Sequence, residues 1–162
     1  MCGEVLLADG TTAGRRWPWL GLLATLVLGG CSGGKGGTSV LALAKSGPGT
    51  CLSVPDTLGS EVKRLPVVDC AQPHTHEIYS VVAWDKGTVF PGVEALDAYA
   101  EQVCVRDFEP WVGVSTFDSS LTFTWLTPTL DSWNNHKDYK ILCVLADTDA
   151  APLTGSMKNS HR

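Results

Sequence analysis

The chain predicts a small α+β domain: an antiparallel β-sheet with one main helix packed on it, held by two disulfides. Three observations carry that expectation. Four stretches are rich in β-branched and aromatic residues, one stretch carries an apolar stripe at helical spacing, and four cysteines fall between residues 51 and 143. With 162 residues, 44% of them hydrophobic and 18% charged, there is material for one core plus appendages rather than two domains.

"GPGTCLSV", Gly47–Val54, opens the domain. "EVKRLPVVDC", Glu61–Cys70, and "EIYSVVAW", Glu77–Trp84, read as strands joined by a turn at Ala71–Thr75, and so as a hairpin. From about Gly92 to Phe108 the spacing predicts a helix, because Val93, Leu96, Ala100, Val103, Cys104 and Phe108 recur three or four residues apart. Asp97, Glu101 and Asp107 then form its solvated face. "LTFTWLTP", Leu121–Pro128, places Leu121, Phe123 and Trp125 on one side of a strand and threonines on the other. "DSWNN" suits a helical turn capped by Asp131. "YKILCVLAD", Tyr139–Asp147, is apolar on both sides, as a central strand should be, with Ile141, Cys143 and Leu145 sharing a face.

Ahead of the domain, Arg15 and Arg16 precede an apolar run, "WPWLGLLATLVL", Trp17–Leu28. Its twelve residues would rise only about 18 Å as a helix, against roughly 30 Å of hydrocarbon, so a cleaved export signal over residues 1–30 fits better than a span. Pro18 interrupts the apolar residues expected after a twin-arginine pair, which favours the general secretory route. "LGGC", Leu28–Cys31, resembles the lipobox of bacterial lipoproteins, in which the cysteine is lipidated and becomes the first mature residue. Residues 31–48, opening with "CSGGKGGTS", read as a Gly/Ser-rich tether ahead of a domain at 49–158 and a tail at 159–162. The expected location is the outer face of the cytoplasmic membrane, held by lipid on Cys31.

Export changes what the cysteines mean. Of six, Cys2 leaves with the signal and Cys31 carries lipid, so Cys51, Cys70, Cys104 and Cys143 remain as an even set in an oxidising compartment. Of three possible connectivities, spacing favours Cys51 with Cys70, closing a local loop, and Cys104 with Cys143, tying helix to strand. A net charge of −5 and a pI near 5.2 leave no basic face for phosphates, so no nucleic-acid partner is expected.

"DCAQPHTHEIYS", Asp69–Ser80, gathers a cysteine, two histidines and a glutamate. A zinc site would use His74 and His76, on one face if the segment is extended, with Glu77, Asp85 or His136 completing the shell. Oxidised Cys70 supplies no thiolate, either as a ligand or as a nucleophile beside His74, so no metal, cofactor or catalytic residue is expected. The simpler reading has Pro73 shaping a turn, His74 and Glu77 bonding backbone groups or each other, and His76 facing solvent. Trp84, Trp111, Trp125 and Trp133 are core residues by default, with glycan stacking or partner contact as the functional alternatives. Carboxylate pairs with separated roles, a nucleophile elbow around Ser115, Ser119 or Ser120, and a phosphate-binding glycine loop are all missing.

Taken together, "GTCLSV", "VVDCAQPHTHEIYSVV", "FPGVEALDAYAEQVC", "LTFTWLTPTLDSW", "ILCVLAD" and "LTGSMK" resemble the actinobacterial septum formation family over about Gly49–Lys158. The strongest elements are Cys70, Pro73, His74 and Glu77 in the first block and Pro128, Ser132 and Trp133 in the second. The four domain cysteines stand where the family places its own; "NNHKDYK" departs from the short glycine-containing turn usual after the tryptophan. The resemblance implies an envelope location and a link to division septa, and no established reaction. His74, Glu77 and Trp133 are the candidate binding residues. The expected function is a lipid-anchored, non-catalytic envelope domain that binds a cell-division or cell-wall partner. The alternative is an envelope enzyme or metal-binding protein using His74, His76 and Glu77.

Overall fold

A computed structural model describes residues 39–42, 45–54 and 64–162. The apolar run Trp17–Leu28 and Cys31 lie outside them. In chain order the elements are β1 (Ser39–Ala42), β2 (Thr50–Leu52), β3 (Arg64–Val68), β4 (His76–Ala83), α1 (Val93–Val112), β5 (Leu121–Leu126), α2 (Leu130–His136) and β6 (Lys140–Asp147). The six strands form one antiparallel sheet in the order β1-β3-β2-β4-β6-β5. This is the α+β architecture expected, with α1 as the main helix and both disulfides paired as the spacing favours. Among the described residues no helix is long and apolar enough to cross a membrane.

Two expectations about the strands need correction. β1 falls inside residues 31–48, which composition read as a tether; "SVLA" pairs with β3 instead. The expected hairpin between β3 and β4 is also absent, because β2 lies between them and is antiparallel to both. β2 is only three residues long, too short to show a period. Its position is set by its partners: Leu52 joins the buried cluster of Ile78, Leu142 and Val144, while Cys51, on the opposite face, is bonded to Cys70.

The sheet has two apolar faces. α1 covers one, burying Leu96, Ala100, Val103, Cys104, Phe108 and Val112 against Tyr79, Leu121, Ile141, Cys143 and Leu145. The opposite face holds Leu52, Ile78, Leu142 and Val144, with an apolar groove of about 170 Å³ among Leu52, Val54, His76, Thr124, Leu126 and Val144. A β-bulge in β4 adjusts the first interface. Ile78 pairs with Val144 but Ser80 pairs with Cys143, so Tyr79 is the extra residue. Both Tyr79 and Ser80 consequently reach α1: the Tyr79 hydroxyl donates to the Cys104 carbonyl at 2.8 Å and the Ser80 hydroxyl to Asp107 at 2.6 Å. Burial, followed by the negative charge of Asp107, holds the Tyr79 phenol far above its ordinary value.

α1 runs one turn past the expected end at Phe108, since Val112 continues the stripe. Pro110 removes one backbone donor in that last turn without ending it; the stop is Gly113, whose φ is 95° and whose N–H donates to the Glu109 carbonyl at 2.8 Å. A Cβ there would also sit 2.6 Å from the His161 ring, so glycine is required twice over. At the other end Val93, expected in the stripe, is 61% exposed, being the first helical residue and lying beyond the core. Asp97 and Asp107 are not a purely solvated face: Asp97 accepts from the Trp125 indole at 3.1 Å and Asp107 from Ser80. α2 is capped by Thr129, whose hydroxyl accepts from the Ser132 N–H, rather than by Asp131, which sits in the first turn and bonds Asn135.

The Cys104–Cys143 bond closes a loop of 39 residues at the middle of the helix–sheet interface, and Cys51–Cys70 one of 19. Chain-entropy arithmetic assigns them about 4 and about 3 kcal/mol respectively. Replacing both members of each pair by alanine is expected to lower the urea midpoint in both cases, and further for the Cys104–Cys143 pair. Equal midpoints for the two double variants would contradict this ranking.

Candidate functional site

The residues singled out by the sequence meet at the end of β4. Directly opposed strand residues share a face, so the register Cys51–Glu77–Leu145 puts Cys51 and Glu77 together on the α1 side of the sheet. Cys70 joins through its disulfide, and the connection from β3 to β4 carries His74 over the same place. Cys51, His74 and Glu77 are all buried, and a sulfur, an imidazole nitrogen and a carboxyl oxygen lie within 4.8 Å of one another. His76 does not join them. As Glu77's neighbour along β4 it points to the opposite face, beside the apolar groove, where a ring nitrogen meets the Thr75 hydroxyl at 2.8 Å. It is half-buried rather than solvent-facing, and burial, followed by the proximity of His74, holds its pKa below the ordinary value. Asp85 lies past the far end of β4 and His136 at the end of α2, so neither completes a shell around Glu77.

Glu77 is a clamp for the C-terminal segment. One carboxyl oxygen accepts from the Ser156 hydroxyl at 2.7 Å and the other from the Met157 backbone N–H at 2.6 Å. His74 and Leu153 exchange backbone hydrogen bonds of 3.0 and 2.8 Å, and Gly155 N–H donates to the Cys70 carbonyl at 2.7 Å. Further on, Asn159 and His161 donate to the carbonyls of Trp111 and Val112, and Arg162 pairs with Asp147 at 2.8 Å. Residues 153–162 are thus a strap across the end of β4 and the last turn of α1. The sequence reading had His74 and Glu77 bonding backbone groups, and they do. It missed Ser156 and Met157 as the partners; "LTGSMK" was the available signal, carrying no chemistry until it is placed against Glu77.

The His74 ring is oriented from below. Nδ1 lies 2.8 Å from the Gln72 carbonyl, which can only accept, so Nδ1 carries a proton and, in the neutral imidazole, Nε2 has the lone pair. Nε2 is buried without a hydrogen-bond partner among the described residues.

Trp133, the third candidate, has no exposed surface. Its indole N–H donates to the Thr88 carbonyl at 2.8 Å, and its ring packs edge-on against Trp84, Phe90 and Tyr139. Trp84, Trp111 and Trp125 are partly buried against the same core. Among the described residues the exposed aromatic ring is Phe117, 96% exposed, in the loop between α1 and β5.

A family model described as septum formation matches residues 35–139. The chain belongs to the septum formation family. The matched stretch runs from β1 through α2 and contains Cys51, Cys70, His74, Glu77, Cys104 and Trp133; β6 and the strap follow it. Membership points to a role in cell division or the cell envelope. No curated protein and no solved structure gives a significant match to the chain.

Two outcomes follow for the strap of this septum formation domain. Glu77→Ala strands the Met157 N–H and the Ser156 hydroxyl, costing roughly 2–4 kcal/mol; amide exchange at Leu153 and Met157 should accelerate more than exchange in β5. Acid should act through Asp147. Hydrogen bonds from the Asp149 and Ala151 N–H groups, with Arg162, hold its carboxyl below the usual 3.8. A depressed folded-state pKa contributes stability that is present above 3.8 and lost as pH falls below it. Asp147→Asn should flatten the acid limb of the stability curve, and an unchanged limb would exclude this anchor.

Proposed function

We propose that the chain is a lipid-anchored envelope domain without catalytic activity, which works by holding a cell-division or cell-wall protein at the membrane surface. Membership in the septum formation family supports the setting, and "LGGC" at Leu28–Cys31 supports the anchor. Residues 31–38, ahead of β1, extend at most roughly 29 Å, so the domain works close to the bilayer. The conformational search for a partner is then confined to a thin layer.

The observation that carries partner binding is Phe117. The polar side chains of the candidate site are buried, Glu77 against the Ser156 hydroxyl and Met157 N–H of the strap and His74 with Nδ1 on the Gln72 carbonyl, so neither is open to solvent. Phe117, by contrast, is 96% exposed on a loop that is itself pinned: Ser115 bonds Asp118 at 2.7 Å, and the Ser119 hydroxyl donates to the Arg162 carbonyl at 2.6 Å. A large aromatic side chain held in water on an ordered loop has the chemistry of an interface anchor, because covering it releases apolar surface at little cost in chain entropy.

The anchor and the contact are separately testable. Cys31→Ser should move the protein from the membrane to the soluble extracytoplasmic fraction and remove the acyl mass from the mature N-terminus. Retention in the membrane with an unmodified N-terminus would overturn the anchor. Phe117→Asp, on a residue outside the core, should leave the unfolding midpoint unchanged while abolishing the envelope proteins crosslinked to the wild type in cells; an unchanged crosslinking pattern would overturn this contact.

A further inference from the structure

We propose that Cys51, Cys70, His74 and Glu77 form a redox-gated site for a zinc-class divalent cation, closed while the disulfide is intact and open when that disulfide is reduced. The donor set is already assembled. The Cys51 sulfur, a His74 ring nitrogen and a Glu77 oxygen lie within 4.8 Å of one another, and the Cys70 sulfur is covalently attached to the first of them. Bonds of about 2.0–2.3 Å in a tetrahedral zinc site place neighbouring ligand atoms about 3.3–3.8 Å apart. The existing spacing therefore needs a contraction of at most about 1.0–1.5 Å, within reach of side-chain rotation once the sulfurs separate.

The second, independent observation is His74. Its Nδ1–H is held by a backbone carbonyl, the arrangement that fixes the tautomer of a metal-bound histidine, and its Nε2 lone pair is buried, with His74 1% exposed and no hydrogen-bond partner for that atom among the described residues. A buried acceptor left in this way normally costs stability, so the site carries a group prepared for a ligand. Glu77 is oriented too, through the Met157 N–H and the Ser156 hydroxyl on its two oxygens. The strap thus serves as the outer shell of the carboxyl ligand.

The two disulfides differ in access. Cys104 and Cys143 are both 0% exposed, whereas Cys70 is partly exposed and Cys51 is 1% exposed. A dithiol reductant accordingly meets Cys70 first. Its thiolate attacks the Cys70 sulfur and expels Cys51 as a thiolate beside His74. The reductant's second thiol then attacks the mixed disulfide, releasing Cys70 and leaving the reductant as its own cyclic disulfide; two electrons have moved to the protein. Metal binding takes the two sulfurs as thiolates, and their protons go to solvent. Reoxidation by a disulfide-class oxidant takes the two electrons back, reforms the bond and releases the cation.

The test uses the 162-residue protein, treated with dithiol until mass spectrometry counts two added hydrogens with Cys104–Cys143 intact, then titrated with Co²⁺ under argon. One Co²⁺ per chain with a thiolate-to-cobalt charge-transfer band, displaced by Zn²⁺, is the expected result, with no such band before reduction. His74→Asn keeps a donor for the Gln72 carbonyl but removes the Nε2 lone pair; it and Glu77→Gln should each weaken binding at least about ten-fold, the lower end of what even outer-shell changes cost. Absence of stoichiometric cobalt, or affinity unchanged in both variants, overturns the site. Loss of the folded far-ultraviolet spectrum on reduction overturns it as well, since a gate must persist in both states. Should His74→Asn not fold, Cys70→Ser decides: it must lose the disulfide and weaken cobalt binding relative to the reduced wild type, and unchanged affinity again overturns the proposal.

Discussion

β2 is hydrogen-bonded on both edges, to β3 and to β4, and the arrangement of the polar site follows from that double pairing. Because β2 is antiparallel to each neighbour, β3 and β4 run in the same direction with a strand between them. The chain leaving β3 has to cross β2 before it can enter β4, and it does so within residues 69–75. That crossing brings Cys70 to Cys51 and His74 to the end of β4, where Glu77 already faces the same side of the sheet. Sulfur, imidazole and carboxyl groups meet there because a three-residue strand occupies the place a hairpin partner would have taken.

The helix–sheet interface rests on a different device. Cys104 and Cys143 sit at its centre, and the bulge at Tyr79 brings a hydroxyl to the Cys104 carbonyl beside the disulfide. A helix lying on a sheet by apolar contact alone retains some freedom to slide, since hydrophobic attraction is not directional. The crosslink and the buried hydrogen bond remove that freedom. Asp107 adds a polar tie: burial would raise its pKa, but hydrogen bonds from Arg106 and Ser80 outweigh this and hold it below the ordinary value.

Function in such a domain is a matter of what is fixed and what is left outside. The strap of residues 153–162 consumes the polar groups at the end of β4, and the aromatic cluster around Trp133 consumes the tryptophans. Phe117 is left in water on a pinned loop, and the proposed partner contact rests on it. The buried Nε2 of His74 is one of five buried side-chain polar atoms, among the described residues, that the fold isolates instead of satisfying; Ser46, Trp84, Trp111 and Ser160 hold the others. The His74 atom lies next to the more accessible of the two disulfides, in the only described group of Cys, His and acidic ligand atoms close enough to share a cation.

Period and composition determined most of the elements. The stripe from Leu96 to Phe108 fixes which side of α1 is buried, the alternation in "LTFTW" fixes which side of β5 meets it, and the β6 face shared by Ile141, Cys143 and Leu145 sets Cys143 against Cys104. Sequence also singled out His74 and Glu77, because "DCAQPHTHEIYS" gathers residue types that can ligate a metal and carries the family-like block. Tertiary structure alone decided that β2 separates β3 from β4, that His76 leaves the cluster, and that Ser156 and Met157 complete it. Those outcomes depend on which strand edges pair and on contacts 79 and 80 residues apart, and no local periodicity records a choice among partners so far along the chain.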